Sequence, residues 1–267
     1  MTPAPAVDGT RVFGIDPPGY DRARPDYPVQ VYDLLQARCP IGPRTRAFEI
    51  GPGTGIATRQ LFARGLGLLV AIEPNPRLAS FLAAQTPAAA ERMHIQVATF
   101  AEADLPAASF DLGVAATAYH WLDPTPTLAK VARLLRPGGT WAMWWNVFGD
   151  PLGDAFHEAT LDLMRAIEPD QPRAPARQPT FPLDVAARLS ELEAAGFVEA
   201  TFDLTRWSHG FDAGQTQALY ATFPHIGTLP LADRQQVLTE LGRIVNDSFA
   251  GVVERPMLTP LYIARRP

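Results

Sequence analysis

The fold of this chain is decided by the stretch Glu49-Ile50-Gly51-Pro52-Gly53-Thr54-Gly55. An apolar pair precedes it and a helix-like stretch at 56–64 follows it, which predicts a strand, a glycine turn and a helix. Glycine has no Cβ, so the turn can take positive φ angles and a ligand can approach its main chain closely. The unpaired N–H groups at the start of the helix favour an anion there. We therefore expect a ligand at this turn, although a tight connection without a ligand fits the same glycines.

A second apolar run, residues 68–72, is typical of a parallel strand that is buried on both faces, and it ends at Glu73. In doubly wound sheets an acid at this position accepts hydrogen bonds from the ribose hydroxyls of a nucleotide or nucleoside. We therefore predict that Glu73 binds a ribose. A solvated surface carboxylate is the alternative.

Two ligand classes fit a glycine turn followed by such an acid, namely dinucleotides and S-adenosylmethionine. A dinucleotide-binding turn has its third glycine three residues after the second, where this chain has Ile56. Glu49 would also repel a pyrophosphate, whereas it suits the cationic amino group of an amino acid. The spacing therefore favours S-adenosylmethionine.

Four motifs, in order, resemble those of the class I S-adenosylmethionine-dependent methyltransferases. Residues 49–55 resemble the first motif, 72–75 the second, 109–114 the fourth-strand motif and 134–140 the turn before the fifth strand. Residues 20–28 and 118–123 are similar to the small-molecule enzymes grouped with trans-aconitate methyltransferase. The resemblance implies methyl transfer from S-adenosyl-L-methionine to a small organic acceptor, with S-adenosyl-L-homocysteine as the product.

The resemblance also implies which residues bind the cofactor, because ligands of open α/β sheets lie outside the carboxyl ends of the strands. The expected cofactor residues are Glu49, Gly51, Gly53, Gly55, Glu73, Pro74, Thr99, Phe100, Ala101, Ala115, Tyr20 and Arg24. Phe100 either stacks on the adenine or packs in the core. Arg24 either pairs with a ligand carboxylate or is an ordinary surface residue.

His120 follows the fourth strand, where the methyl group should be delivered, and it is the expected catalytic residue. Histidine titrates near neutrality, so it can act as a base or as a hydrogen-bond donor. Packing beside Trp121 with a bond to the backbone is the alternative. The expected acceptor-site residues are Tyr27, Tyr119, Trp121, Trp145 and Asn146. Because alternate strand residues face opposite ways, Trp144 and Trp145 should not line one pocket together.

The alternation of strand and helix patterns predicts a parallel sheet with right-handed crossovers. Strands are expected at 47–50, 68–72, 95–98, 110–115 and 140–145, and helices at 27–38, 56–64, 77–85, 127–135, 154–167 and 185–195. Strands at 197–207 and 257–264 form the final antiparallel hairpin that the resemblance implies. The expected fold is therefore α/β and Rossmann-like, with seven mostly parallel strands, helices on both faces and a partial helical cap.

We expect a single methyltransferase domain over residues 1–267. It divides into an N-terminal lid and first helix at 1–46, a cofactor-binding core at 47–147 and an acceptor-side half at 148–267. Five prolines in residues 168–182 predict a loop. Two inserted helices are expected within about 212–250, where Phe211, Tyr220, Phe223 and His225 either line a pocket or pack together.

Bulk properties exclude several function classes. The net charge is −5 and no lysine or arginine run forms a basic face, so nucleic acid is not an expected partner. The start of the chain lacks a signal-peptide pattern and no segment is apolar enough for a membrane span, which predicts a cytoplasmic protein. Cys39 is the only cysteine, and no cluster has metal-ligand spacing, so neither metal nor redox chemistry is expected.

Three functions remain open at this point. The first is methyl transfer to a small acceptor, with oxygen slightly favoured over carbon or nitrogen. The second is an NAD-dependent oxidoreductase, which Ile56 and the lack of a second nucleotide-binding half disfavour. The third is a methyltransferase-like protein that binds S-adenosylmethionine without turnover. The sequence predicts neither the acceptor nor the oligomeric state.

Overall fold

The structure is a computed structural model that describes residues 14–150, 153–167 and 180–267. The strands are β1 Arg46–Ile50, β2 Leu68–Ile72, β3 Met93–Gln96, β4 Phe110–Ala116, β5 Leu135–Trp144, β6 Val147–Phe148, β7 Val198–Asp212 and β8 Val252–Arg265. The helices are α1 Pro17–Ala23, α2 Val29–Arg38, α3 Ile56–Ala63, α4 Pro76–Gln85, α5 Pro124–Leu134, α6 Ala155–Ile167, α7 Val185–Ala194, α8 Ala213–Ala221, α9 Pro224–Gly227 and α10 Leu231–Ser248.

The described residues fall into two compact units. The sheet unit contains residues 26–147, 180–205 and 259–267, and the helical unit contains residues 14–25, 148–150, 153–167 and 206–258. Strands β7 and β8 each have residues in both units. The predicted single domain and its internal boundaries stay predictions.

The sheet has the strand order β3-β2-β1-β4-β5-β8-β6, and β7 pairs with β8. The neighbours from β3 to β5 are parallel, whereas β8 is antiparallel to β5. The order reverses between β1 and β4, and ligands of open α/β sheets bind at such a reversal. The expected Rossmann-like α/β fold is confirmed, and the two-residue strand β6 adds an eighth strand to the seven that were predicted.

Each face of the sheet carries its own apolar cluster. Phe48 and Val70 pack on one face with α5 and α7, whereas Ala47 and Leu69 pack on the other with α2 and α3. This arrangement follows from the alternation of side chains along a strand. A strand buried on both faces needs an unbroken apolar run, which explains the composition of β2.

Helix starts are set by side-chain caps that the sequence supplies. The Asn75 side chain accepts hydrogen bonds from the N–H groups of Arg77 and Leu78 at the start of α4. Asp123 caps α5 through the N–H of Thr125. In both helices proline occupies the first position, where its missing N–H costs nothing. The caps therefore fix the start of α4 just after β2 and the start of α5 after the loop that follows β4.

The helical unit has an apolar core of its own, which contains Phe156, Leu219, Ile226, Leu241 and Val245 among others. A buried ion pair lies within it. Arg255 Nη2 donates to Asp154 Oδ2 at 2.8 Å, and both side chains are about 5% exposed (5% and 6%). The N–H groups of Phe156 and His157 also donate to Asp154.

Gly149 makes room for this pair, because its φ is +91° and a Cβ there would lie 2.6 Å from the Asp154 carboxylate. The Arg255 guanidinium also donates to the Tyr220 hydroxyl and lies over the Phe156 ring. The pair is therefore satisfied on several sides within one unit.

Several elements differ from the prediction. Helix α1 was not predicted, because residues 17–23 begin with two prolines and read as part of a proline-rich tail. The 214–249 segment holds parts of three helices rather than two, since Pro224 and Pro230 divide it. Strand β3 begins two residues earlier than expected, at Met93. The predicted loop at 168–182 lies outside the described residues up to 179.

The aromatic side chains of the inserted segment have mixed environments. Phe211 and Tyr220 are buried in the core of the helical unit, and Phe223 packs against it. His225 stacks on Phe223 at 5.8 Å between ring centroids. Ordinary packing therefore accounts for Tyr220 and Phe223, whereas Phe211 also lines a cavity of this unit.

Neither a membrane span nor a metal cluster is found in the part of the chain that the structure describes. None of its helices has the length and apolar character needed to cross a bilayer. No group of three or more His, Cys, Asp and Glu side chains in those residues could hold a metal ion.

Candidate functional site

The glycine turn after β1 has the backbone that its sequence predicts. Gly51, Gly53 and Gly55 have φ angles of +62°, +59° and +89°. A Cβ on Gly53 would meet no atom within 4 Å, whereas a Cβ on Gly55 would lie 2.4 Å from Leu82 Cδ1. The φ of Gly55 favours glycine whatever the space, and a Cβ there would also displace the Leu82 side chain of α4, while Gly53 leaves open space in front of the main chain.

Glu73 lies at the tip of β2 with its carboxylate directed to the glycine turn. Its side chain accepts a hydrogen bond from the Gly53 N–H at 3.0 Å and one from the Asn75 N–H at 2.9 Å. Glu73 is only 4% exposed, and burial raises the pKa of its carboxyl group while these two N–H groups oppose the rise. Two adjacent strand tips are thus joined through one carboxylate.

Glu49, the last polar residue of β1, is fully buried. Its Oε2 accepts a hydrogen bond from the Thr58 hydroxyl at 2.6 Å, whereas its Oε1 has no hydrogen-bond partner among the described residues. Burial raises the pKa of Glu49 to about 7, with the Thr58 hydroxyl lowering it and the charge of Glu73 raising it further. A buried acceptor without a donor is costly, so Oε1 is available to a donor from outside the protein.

These three features fit the amino acid and ribose parts of S-adenosylmethionine better than a pyrophosphate. The free oxygen of Glu49 matches an ammonium group, which donates hydrogen bonds and neutralises the carboxylate. A pyrophosphate would instead bring negative charge towards the buried carboxylate of Glu49, whereas Glu73 fits the ribose of either ligand class. The open space at Gly53 lies beside the Glu73 carboxylate, which accepts from the Gly53 N–H.

The end of β4 carries a backbone conformation that is rare outside glycine. Thr117 has a φ of +55°, and its hydroxyl lies 2.8 Å from the Tyr27 hydroxyl. Its N–H donates to the carbonyl of Trp144 at 2.7 Å, which holds it against β5. Strain of this kind is frequent at functional sites. The predicted cofactor residue Ala115, two positions earlier, is fully buried in the strand.

The loop after β3 is held by Lys130 of α5. Its ammonium group donates to the carbonyl oxygens of Phe100, Ala101 and Ala103 at 2.5, 3.0 and 2.6 Å. Phe100 is 4% exposed and stacks on Phe48 with 6.0 Å between ring centroids. Core packing therefore accounts for the Phe100 side chain, and its contact with adenine stays a prediction.

The other predicted cofactor residues near this loop are more exposed. Thr99 and Ala101 are exposed, and the Thr99 hydroxyl donates to Glu102 at 2.7 Å. Pro74 is half-buried beside Glu73. Their contacts with a cofactor also stay predictions.

His120 lies in the 3₁₀ turn Tyr119–Trp121 and is bonded to β5 through an indole. The Trp145 Nε1–H donates to His120 Nδ1 at 3.0 Å. Because an indole nitrogen can only donate, Nδ1 must be unprotonated. Burial lowers the pKa of His120 to about 4, so the ring is neutral near pH 7 and carries its proton on Nε2. The neutral ring can donate from Nε2–H, while Nδ1 accepts from the indole.

The predicted acceptor-site residues have different degrees of exposure. Tyr119 is fully buried and donates to Glu191, and Trp145 is 2% exposed, whereas Trp121 is 45% exposed. Asn146 donates to the Asp26 carbonyl and accepts from the Thr259 hydroxyl. Trp144 and Trp145 pack in opposite clusters, as the strand alternation predicts.

Tyr20 and Arg24 belong to the helical unit, where Arg24 donates to the Thr222 hydroxyl at 2.8 Å. Their contact with the cofactor stays a prediction. In the sheet unit, hydrogen bonds join Glu73 to the glycine turn, Glu49 to Thr58, and Thr117 to Tyr27.

Sequence reasoning missed two residues of the site. Thr58 donates to Glu49, and its signal is a polar residue on the otherwise apolar inner face of α3. Neither the positive φ of Thr117 nor its bond to Tyr27 has a sequence signal. Both depend on tertiary contacts.

Comparisons with known proteins agree with this geometry. Residues 48–143 match the family model described as methyltransferase domain. An uncharacterized methyltransferase of Mycobacterium tuberculosis is 37% identical over 141 residues, which cover 53% of this chain and 54% of that protein. The chain thus spans about half the length of this relative. An uncharacterized methyltransferase of Schizosaccharomyces pombe is 23% identical over 88% of this chain and 87% of that protein.

A solved structure extends the likeness over the fold. Phosphoethanolamine N-methyltransferase 2 of Haemonchus contortus, in complex with phosphomonomethylethanolamine and S-adenosylhomocysteine, has a TM-score of 0.57 at 14% identity. The match covers 97% of this chain and 58% of that one. Together the comparisons agree with a methyltransferase domain within residues 48–143 and with the predicted fold. Similarity to the trans-aconitate methyltransferase group stays a prediction.

Proposed function

We propose that this protein transfers a methyl group from S-adenosylmethionine to a small organic acceptor, with oxygen as the first acceptor atom to test. The observation that carries the proposal is the pair of buried carboxylates at the tips of β1 and β2, with the free oxygen of Glu49 and the open main chain at Gly53 beside them. The match to the methyltransferase domain over residues 48–143 supports the same class.

Each residue of the pair has a separate role in this proposal. Glu73 accepts hydrogen bonds from the ribose hydroxyls, and Glu49 accepts one from the amino group of the methionine part. When bound, S-adenosylmethionine supplies an electrophilic methyl group on a sulfonium centre. The chain contributes mainly by fixing the acceptor in line with that group. Orientation of this kind lowers the activation barrier by up to several kcal/mol.

A small-molecule acceptor is supported by the acidic character of the chain and by the related fold. With a net charge of −5 and no lysine or arginine run in its sequence, the protein is not expected to bind nucleic acid. The Haemonchus contortus enzyme of the same fold is described with phosphomonomethylethanolamine. An NAD-dependent oxidoreductase is disfavoured, because Ile56 stands where a dinucleotide-binding turn has its third glycine and because Glu49 would repel a pyrophosphate.

Calorimetry with S-adenosylhomocysteine tests the cofactor site, and its pH dependence tests Glu49. We expect micromolar binding at pH 8 and about tenfold weaker binding at pH 6, because a carboxyl group with a pKa of about 7 must be ionised to receive the ammonium group. The sign follows because the bound cation lowers the pKa of Glu49, so acid opposes binding. The Glu49→Gln variant should bind more weakly at pH 8 and lose this pH dependence.

Two outcomes would contradict this proposal. An absence of binding heat at every pH would exclude S-adenosylmethionine as the cofactor. Stabilisation of the protein by NAD instead would favour the oxidoreductase. Equal affinity at pH 6 and pH 8 in the wild-type protein would remove the proposed contact between Glu49 and the amino group.

His120 is expected to position the acceptor through its Nε2–H. We expect His120→Ala to lower kcat/KM by roughly tenfold, the cost of one hydrogen bond, and His120→Gln to recover most of it, since glutamine can accept from the indole and still donate. The measurement is turnover of an acceptor found by screening labelled S-adenosylmethionine against a metabolite extract. A general base would instead leave the glutamine variant as inactive as the alanine variant.

A further inference from the structure

The helical unit contains a cavity of about 590 Å³. Its lining residues come from α1 and the residues on either side of it, the end of β7, α8 with the following Thr222, α9 and the start of α10, and all belong to this one unit. The volume lies within the range of small-molecule sites. Apolar surface is supplied by Phe211, Tyr20 and three alanines, Ala23, Ala218 and Ala221.

Three arginines line this cavity, namely Arg22, Arg24 and Arg234. The one carboxylate in the lining is that of Asp16, which accepts a hydrogen bond from the Gly19 N–H and caps α1. The lining therefore has an excess of positive charge within a chain whose net charge is −5. Such a local reversal of sign attracts anions to the cavity.

The positive charges have no acidic partners among the described residues. Arg24 is bonded only to Thr222, through the hydroxyl at 2.8 Å and the carbonyl at 3.5 Å. Its guanidinium lies 4.6 Å from the ring centroid of Phe223 and 5.1 Å from that of Tyr20. These neutral contacts hold the guanidinium in place without neutralising it.

Arg234, on α10, also has no acidic partner among the described residues. It is half-buried on α10, and its side chain makes no hydrogen bond or ion pair with a described residue. Arg243, farther along the same helix, instead pairs with both Glu240 and Asp247. The helix therefore neutralises the arginine that faces away from the cavity and leaves the one that lines it unpaired.

We propose that this cavity binds an organic dianion, a dicarboxylate or a phosphate monoester, on an apolar carbon skeleton. Arginine forms paired hydrogen bonds with carboxylate and phosphate groups, which share the required geometry. The aromatic and alanine surfaces contact the skeleton. The inference goes beyond the proposed methyl transfer, because Arg22 and Arg234 are not among the predicted cofactor residues, although the lining also contains two that are, Tyr20 and Arg24.

Calorimetry on the full chain tests this site with four probes, phthalate, phenyl phosphate, inorganic phosphate and the neutral phthalamide. We expect phthalate or phenyl phosphate to bind at least about tenfold more tightly than phthalamide and inorganic phosphate, since one charge-assisted hydrogen bond accounts for a factor of that size. Which of the two binds better separates a dicarboxylate from a phosphate ligand. If neither organic dianion exceeds phthalamide, the proposal is wrong.

Two variants and a control locate the binding. Arg234→Gln should weaken binding of the preferred dianion by about tenfold, and Ala218→Trp should block the cavity without removing a charge. Arg243→Gln is the matched control on the same helix and should bind like the wild-type protein. Equal losses in Arg234→Gln and Arg243→Gln, or full binding to Ala218→Trp, would overturn the assignment.

The same samples keep this inference separate from the methyltransferase proposal. Arg234→Gln should bind S-adenosylhomocysteine like the wild-type protein, and a Glu73→Ala variant should still bind the dianion. Loss of dianion binding in Glu73→Ala would contradict the proposal that the cavity is independent of the cofactor site. Failure of S-adenosylhomocysteine to bind any sample would contradict only the proposed function.

Discussion

Replacement of Glu73 with alanine is expected to raise the dissociation constant for S-adenosylhomocysteine by about a hundredfold or more. The carboxylate is proposed to accept hydrogen bonds from two ribose hydroxyls, and each bond to a charged group contributes about 1.5 to 3 kcal/mol. Every 1.4 kcal/mol or so corresponds to a tenfold change in affinity. Titration calorimetry at pH 8, where Glu49 is mostly ionised, measures the effect directly.

Glu73 also holds the glycine turn, so its removal has a structural component that must be separated. The alanine variant leaves the N–H groups of Gly53 and Asn75 without their carboxylate, which should lower the thermal midpoint slightly. The control is Glu193→Gln, which removes an exposed carboxylate from the end of α7 in the same unit. Unchanged affinity in a folded Glu73→Ala variant would exclude the ribose contact.

Replacement of Arg255 with methionine is expected to destabilise the protein by about 3 to 5 kcal/mol, because it leaves the buried carboxylate of Asp154 without its cation. The two side chains are only 5% and 6% exposed, so water cannot replace the lost partner. Denaturant unfolding with a probe in the helical unit measures this change. Arg243→Met, which removes an arginine of a surface ion pair in the same unit, is the control and should have no measurable effect.

A second variant tests the reason for that loss. Combining Arg255→Met with Asp154→Asn removes the uncompensated charge while the amide oxygen can still accept from the N–H groups at the start of α6. We expect the double variant to be more stable than Arg255→Met alone. If the two variants are equally unstable, lost packing of Arg255 on Phe156 and not the buried charge is the cause.

The parallel sheet and the cofactor turn could be predicted because their sequence signals are local. The unbroken apolar run of β2 and the glycines after β1 each follow from a backbone requirement of a few consecutive residues. The acid at the tip of β2 is placed by the strand that it ends. Element type was therefore predictable, whereas element ends such as those of β3 and β7 depend on pairing with neighbours.

The chemistry of the site could not be predicted to the same depth, because it arises from contacts between distant residues. The bond from Trp145 to His120 joins residues 25 positions apart and decides which ring nitrogen carries the proton. The pKa of Glu49 depends on complete burial, which a single residue in a pattern does not indicate. Helix α1 was missed for a similar reason, since it packs on α8, about 200 residues away in the chain.

Lys130 is the only lysine in a chain with 23 lysine and arginine residues, and its position has a steric explanation. Three carbonyl oxygens converge on one nitrogen, an arrangement that suits a tetrahedral ammonium group with three hydrogens. A flat guanidinium carries its N–H groups on three separate nitrogens, so no single nitrogen can donate to all three carbonyl oxygens. The chain is otherwise built with arginine, and here only the smaller cation fits.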